Sequence, residues 1–194
     1  MDKHSHEYLA LHSHEVTRSL PVLWAARRYG ISKRIIHSHT DNLKGSNRKL
    51  IAPLITALTI PVATDYWACS KAAGHFVFGS KSFKIFNNTI QCQRFIFNSI
   101  DRKQVRESLG ISQQAMVIGH TGRFTYQKNH EKIIKAFAEL YHHNKNTYLI
   151  LVGEGKPVED NIKVLVSRLG ITKAVRFIGL QSKVAPFLSA MDVF

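Results

Sequence analysis

The sequence predicts an α/β protein made of two parallel-sheet halves. Short apolar runs suited to strands alternate along the chain with segments of helical periodicity. Glycines such as Gly30 and Gly79 end predicted helices. The alternation is interrupted between about residues 87 and 114 and resumes at Ala115. Alternating strands and helices predict parallel sheets with right-handed crossovers, and the interruption predicts two domains.

In the first half, apolar runs predict the strands and helical spacing predicts the helices. The predicted strands are Tyr8–His12 (a short buried strand), Arg34–His37, Tyr66–Cys69 and Phe83–Phe86. The predicted helices are Leu20–Tyr29, about Ser46–Leu58, and Lys71–Phe78. We assign residues 1–98 to the C-terminal part of a first Rossmann-like domain.

The middle of the chain lacks a long apolar strand. It carries one short polar helix, which we expect to be N-capped by Asp101 and to end at Leu109 and Gly110. We interpret residues 99–114 as a linker and residues 115–194 as the N-terminal part of a second domain. Its predicted strands are Met116–Gly119, Tyr148–Val152 and Val175–Ile178, and its helices are about Asn129–His142, Pro157–Leu169 and a last short one. Asp192–Phe194 resembles the opening of another strand, so both halves are expected to be incomplete.

The composition argues against membrane-spanning, secreted and disordered proteins. Of the 194 residues, 44% are hydrophobic, as in ordinary globular domains. The longest apolar candidate, Leu50–Ala63, is interrupted by Pro53 and Pro61. The N-terminus has no signal-peptide core, and the two cysteines, Cys69 and Cys92, fit a reducing compartment. We therefore expect a cytoplasmic protein.

The net charge is strongly positive. Twenty-seven Lys and Arg residues against 13 Asp and Glu give +14. Such a surface favours polyanions, including phosphorylated substrates and the anionic inner face of a membrane. The cations are spread along the chain and are rarely interleaved with aromatic residues, so nucleic acid is a disfavoured partner.

The most informative segment is Gly119–His130. An apolar strand leads into a glycine turn, two cations follow at Arg123 and Lys128, and a helix then begins. In parallel α/β proteins this order builds a phosphate pocket, because the N–H groups and the positive dipole end of the helix face the anion. Arg123 can add a bidentate fork and Lys128 a mobile point charge.

This segment resembles the G-R-F-x-x-Q-K-N-H signature of the group 1 (family 4) retaining glycosyltransferases. The similarity is nearest to the branch that makes capsular and extracellular polysaccharides. It extends over most of the chain through the segments His37–Thr40, Ala68–Gly74, Phe78–Gly79, Asn87–Ile90, Leu151–Gly155, Val175–Gly179 and Ala190–Phe194.

The resemblance implies a GT-B architecture, in which residues 1–98 belong to the acceptor-side domain and residues 115–194 to the nucleotide-sugar donor-binding domain. It also assigns roles to individual residues. Gly122, Arg123 and Lys128 would hold the donor diphosphate. His39 would face the transferred sugar or its phosphate as the catalytic residue, while His12 and His14 are assigned to structure or the cleft wall. The nucleotide pocket would be formed by Gly153, Gly155, Phe177 and Gly179.

The function implied is transfer of a sugar from a nucleotide diphosphate sugar, a UDP-sugar for preference, to a polysaccharide or lipid-linked acceptor. Stereochemistry would be retained without a metal or other cofactor, and no His/Cys cluster has zinc-site spacing. As a fragment, the chain is expected to have little or no activity. The alternatives are a non-catalytic basic α/β module that binds nucleotides or polyanions, and an inactive truncated product.

Overall fold

The chain folds into two α/β units, each built around a parallel sheet. The computed structural model describes residues 5–40 and 51–194. The chain divides into compact units spanning Met1–Ile90 and Gln91–Phe194. Each unit alternates strands and helices in sequence. The α/β class with two parallel-sheet halves, predicted from the alternating pattern, is confirmed.

In the described part of the first unit, the strands pair in the order β1-β2-β3-β4, all parallel. The elements are β1 (Ala10–Ser13), α1 (Leu20–Arg28), β2 (Lys33–Ser38), α2 (Ala52–Thr59), β3 (Asp65–Ala68), α3 (Lys71–Phe78) and β4 (Lys84–Ile85). Short 3-10 helices cover Ser5–Glu7 and Ile60–Val62.

The helices of the first unit pack on one face of its sheet. Ile36 of β2 and Ala68 of β3 are fully buried there, against Leu23 of α1 and Phe78 of α3. Successive side chains of a strand point to opposite faces. His37, which follows Ile36, therefore faces the other side of the sheet.

The second unit has strands in the order β5-β6-β7, also parallel. Its elements are α4 (Ser99–Ser108), β5 (Met116–Thr121), α5 (His130–His143), β6 (Thr147–Val152), α6 (Val158–Arg168), β7 (Val175–Gly179) and α7 (Ala185–Ala190). Further 3-10 helices cover Cys92–Phe95, Tyr126–Lys128 and Thr172–Ala174. Val193 makes a parallel bridge with Ile118, so the chain reaches β5 again after α7.

Strand β6 is buried on both faces. Leu149 and Leu151 join the core formed with α5 and α6, whereas Ile150 and Val152 join the core formed with α7. This explains why its sequence is a continuous apolar run instead of an alternating one.

Helix α4 differs from its predicted role as a linker, because it packs against α7 inside the second unit. Its N-cap is Asn98, whose side chain accepts hydrogen bonds from the N–H groups of Ile100 and Asp101 at 2.9 and 3.1 Å. The prediction of Asp101 as the cap was wrong, since the helix begins two residues earlier and Asp101 lies in its first turn. Arg106 of this helix is fully buried.

One first-unit strand, β1, also differs from expectation. β1 begins at Ala10 and its residues alternate between exposed and half-buried, so it is not the buried strand predicted at Tyr8–His12. β1 is an edge strand of the described four-stranded sheet, and among the described strands it pairs only with β2. The expected start of α2 near Ser46 lies outside the described residues.

Within the described residues, no helix combines the length and apolar character needed to span a bilayer.

Candidate functional site

The motif Gly119–His130 forms a turn between β5 and α5. After Thr121 the chain bends at Gly122 (φ 155°) and buries Phe124. One 3-10 turn, Tyr126–Lys128, separates this bend from α5, and Asn129 enters α5 in the left-handed conformation (φ 47°). The anion-facing end of the helix thus comes at the carboxyl end of a parallel strand, where ligands of open α/β sheets bind.

The loop Gly122–Phe124 is held by backbone contacts with the segment after β6. The N–H groups of Gly122 and Phe124 donate to the carbonyls of Val152 and Glu154 at 2.9 and 3.0 Å. A Cβ on Gly153 would lie 2.1 Å from the Gly122 carbonyl oxygen, and one on Gly155 would lie 2.7 Å from the Phe124 oxygen. These two glycines therefore allow the two loops to approach each other, which fixes the position of the cation-bearing turn.

Arg123 and Lys128 both present exposed side chains at this turn. In the part of the chain that the structure describes, neither is paired with a carboxylate. A Cβ on Gly122 would lie 3.4 Å from Cε of Lys128, so the lysine stem folds back over the glycine. Two cations without acidic partners, next to a helix start, form a site suited to a phosphate group, and we call residues 122–128 the phosphate turn.

Beneath this turn lie two histidines, His120 and His130, to which the sequence patterns assigned no role. His130, the first residue of α5, is 2% exposed and stacks on Phe124 with ring centroids 4.1 Å apart. His120 of β5 meets it edge to face at 5.0 Å. Among the described residues, His120 Nε2 and His130 Nδ1 are buried without hydrogen-bond partners. Burial, followed by the charges of His120 and Lys128, lowers the pKa of His130 to about 4, and burial and Lys128 also lower the pKa of His120.

The lowered pKa of His130 predicts acid sensitivity of the second unit. The unfolded chain binds a proton at this residue near pH 6.5, whereas the folded chain binds it only near pH 4. The stability that the neutral His130 gives the fold is therefore complete above pH 6.5 and is lost as the pH falls towards 4. His130→Phe keeps the stack on Phe124 and removes the titration. We expect it to reduce the fall in unfolding free energy across this window by about 1–3 kcal/mol in urea titrations.

The control is His142→Gln, which changes an exposed histidine at the other end of α5. It is expected to keep the wild-type slope. A His130→Phe protein with the same slope as wild type would show that His130 is not held neutral in the fold.

The remaining predicted nucleotide-pocket residues lie at the carboxyl end of β7. The Gly179 carbonyl accepts a hydrogen bond from the Gly153 N–H at 2.9 Å, which joins this strand end to the phosphate turn through the 153–155 segment. Phe177 is half-buried, and its ring packs against the core and lies 6.1 Å from that of Phe124. The structure thus brings Gly122, Gly153, Gly155 and Gly179 together through the backbone, with Phe177 packed against the core behind them.

His39, the predicted catalytic residue, lies in the first unit just after β2 and is exposed. Its Nε2 lies 2.8 Å from Nδ1 of His14, and Nδ1 of His37 lies 3.2 Å from Nε2 of His12. The His12 and His14 rings are 4.2 Å apart, as are the His37 and His39 rings. The four imidazoles, which we call the histidine cluster, occupy one sheet face at the carboxyl ends of β1 and β2.

Burial and neighbouring imidazoles lower the pKa of two members of the histidine cluster, His37 and His12. Burial, followed by repulsion from the neighbouring His39, His12 and His14, lowers the pKa of His37 to about 4. Burial, followed by His14 and His39, lowers the pKa of His12. Trp67 meets the ring of His12 edge to face at 4.9 Å and stacks on Phe86 at 4.1 Å. The face therefore presents imidazoles beside aromatic rings.

Sequence comparisons agree with the geometry of the second unit. Residues 101–194 match the family described as Glycosyl transferases group 1, and this matched segment includes the phosphate turn. The putative glycosyltransferase EpsF of Bacillus subtilis is 28% identical over 200 residues, covering 99% of this chain and 52% of EpsF. The lipopolysaccharide core biosynthesis glycosyltransferase LpsE of Rhizobium meliloti is 38% identical over 89 residues, covering 46% of this chain and 25% of LpsE.

Solved structures share the fold of the whole chain. The crystal structure of HepE from Anabaena in complex with UDP has a TM-score of 0.79 and 21% identity, covering 97% of this chain and 52% of HepE. TarM has a TM-score of 0.70 and 10% identity, covering 94% of this chain and 34% of TarM. The fold is that of the GT-B glycosyltransferases, as the sequence analysis predicted. The chain spans about half the length of EpsF and HepE.

Proposed function

We propose that this chain belongs to a family 4, retaining glycosyltransferase that takes a sugar from a UDP-sugar, and that its second unit holds the donor diphosphate. The observation that carries the proposal is the pair Arg123 and Lys128 at the turn after β5. Both cations are exposed beside the start of α5, within the segment that matches the group 1 family. HepE, whose crystal structure was determined in complex with UDP and glucose, shares this fold.

Sugar transfer from a nucleotide diphosphate sugar requires positive charge beside the diphosphate. Cleavage of the bond between sugar and phosphate leaves negative charge on the departing diphosphate. Fixed cations and backbone N–H groups that are already oriented stabilise such charge with little reorganisation. Arg123 and Lys128 would meet that need without a metal, and the backbone contacts of Gly153 and Gly155 would keep the turn in place.

The acceptor and the location belong to the same proposal. A polysaccharide or lipid-linked sugar is the proposed acceptor, as in the capsular and extracellular polysaccharide branch; LpsE, named for lipopolysaccharide core biosynthesis, supports an acceptor of this class. The proposed location is the cytoplasm at the inner face of the membrane. A net charge of +14 would favour contact with anionic lipid there.

Arg123→Ala and Lys128→Ala are each expected to weaken UDP binding by about 1–3 kcal/mol, which corresponds to about 5- to 150-fold in Kd. Each variant removes one charged donor to the diphosphate and leaves the core untouched, because both side chains are exposed. The measurement is isothermal titration of the purified chain with UDP at two salt concentrations.

The matched control is Lys132→Ala, an exposed lysine on the first turn of α5. It lowers the net charge equally and is expected to leave the affinity for UDP within about twofold. If the three variants weaken binding equally, or if binding disappears at moderate salt, UDP is attracted by the general basic surface and the proposed donor site is wrong.

A further inference from the structure

We propose that the histidine cluster of the first unit is a binding site for a divalent transition metal, with His12, His14 and His37 as ligands and His39 as the residue that orients His14. The site involves the first unit only. It is therefore independent of the donor diphosphate site proposed for the second unit.

The ligand set follows from the strand register. His12 lies on β1 and His37 on β2, while His14 follows the end of β1. Residues two apart on a strand share a face, so the two His-Ser-His sequences present their imidazoles on the same side of the sheet. Parallel pairing of β1 with β2 then brings together residues 25 positions apart in the sequence.

The distances fit a metal. One ring nitrogen from each of His12, His14 and His37 can be chosen so that the three lie within 4.8 Å of one another. Tetrahedral zinc, with bonds of 2.0–2.1 Å to nitrogen, separates its ligand atoms by about 3.4 Å. His12 Nε2 and His37 Nδ1 are already 3.2 Å apart. His14 is exposed, so its ring has room to close the remaining gap.

The histidine ligands differ in how firmly the surrounding side chains hold their rings. His37 is 6% exposed and fixed within β2, with Trp67 and Phe86 edge to face with its ring at 6.1 and 6.5 Å. His12 is exposed, and the edge of Trp67 contacts its ring. The ring of His37 is therefore positioned by packing before any metal arrives, which lowers the ordering cost of binding.

His39 supplies the support that metal-bound histidines commonly have. A ligating imidazole usually directs its other ring nitrogen to a hydrogen-bond acceptor, which fixes its tautomer and orientation. His14 Nδ1 lies 2.8 Å from His39 Nε2, so His14 can donate to His39 and direct Nε2 at the metal. The fourth position would remain open on the exposed side, for water or an exogenous ligand.

The donor set defines the class of metal. Three imidazole nitrogens without a carboxylate or thiolate favour zinc, cobalt, nickel or copper(II) over magnesium and calcium, which prefer oxygen ligands. The second unit's cations are not part of this site, and no step in sugar transfer is assigned to the metal.

The test is titration of the purified, untagged chain with Co²⁺ and Zn²⁺. Co²⁺ reports coordination through its visible absorption, and Zn²⁺ affinity is measured in competition with a chromophoric chelator. We expect one equivalent of Co²⁺ with a four- or five-coordinate spectrum, displaced by Zn²⁺. His37→Ala and His12→Ala are expected to weaken binding by at least about 100-fold, and His39→Ala by about 10- to 100-fold. Mg²⁺ is expected not to compete.

The control is the double variant His142→Ala, His143→Ala, which removes an exposed histidine pair outside the histidine cluster. It should bind as wild type does. Because His37 is buried, circular dichroism and the exposed variant His14→Ala keep the test valid should His37→Ala fail to fold; His14→Ala should lose the Co²⁺ spectrum in a folded protein. Binding that survives in folded His14→Ala and His12→Ala, or that falls equally in the control, overturns the proposal.

Discussion

Replacement of Arg106 by alanine is expected to lower the free energy of unfolding of the second unit by about 3–5 kcal/mol. Arg106 is fully buried in α4. Its guanidinium donates to the backbone carbonyls of Gln113, Ala115 and Ala190, each at 2.9 Å, and to Asp192 Oδ2 at 2.8 Å. Alanine would leave these acceptors without their donor and would open a cavity.

The contacts of Asp192 make the expected loss of unfolding free energy in Arg106→Ala larger. Its carboxylate also accepts from Arg102 at 2.6 Å and from the Val117 N–H at 2.7 Å, and so connects α4 to β5. Burial works to raise the pKa of Asp192, but the Val117 N–H and the two arginines outweigh it and the pKa is lowered. A single side chain thus joins α4, the last residues and the strand that leads to the phosphate turn.

The measurement is urea unfolding followed by circular dichroism. The control is Lys103→Ala on the same helix, whose side chain is 69% exposed and lies 4.0 Å from Glu107; it should cost less than about 0.5 kcal/mol. If Arg106→Ala is as stable as Lys103→Ala, α4 is not an integral part of the second unit.

Gly153→Ala is expected to destabilise the second unit by at least about 2 kcal/mol more than Gly170→Ala, and to weaken UDP binding as well. At Gly153 (φ 140°) the new Cβ would lie 2.1 Å from the Gly122 carbonyl oxygen, a backbone atom that must move. The movement would displace the turn that carries Arg123.

Gly170→Ala is the matched control. Gly170 also has positive φ (69°), but a Cβ there would meet no atom within 4 Å. It should cost only the strain of the left-handed conformation, about 1–2 kcal/mol, and leave UDP affinity unchanged. Equal stability and equal UDP affinity in the two variants would show that close approach of the two loops does not set the geometry of the turn.

The sequence predicted most strands and helices because their periodicity reflects burial. The apolar run at β6 is buried on both faces, and the glycine turn after β5 appears where the residues Gly122–Phe124 indicated. Arg123 and Lys128 could be identified because their positions follow from local order along the chain. Their assignment to the donor diphosphate stays a prediction.

What the sequence did not reveal depends on contacts distant along the chain. α4 was interpreted as a linker because it is polar, yet its buried residue is an arginine whose partner Asp192 lies 86 positions away. Similarly, the histidine cluster joins residues 25 apart. Metal-site spacing rules describe ligands near one another in sequence, so they do not detect this arrangement.

The most direct test of the proposed donor site is a crystal structure of this chain grown with UDP. The account predicts that the diphosphate contacts the side chains of Arg123 and Lys128 at the turn after β5, with the uridine directed towards the carboxyl end of β7. A diphosphate bound at another place on the second unit, with Arg123 and Lys128 free, would contradict it.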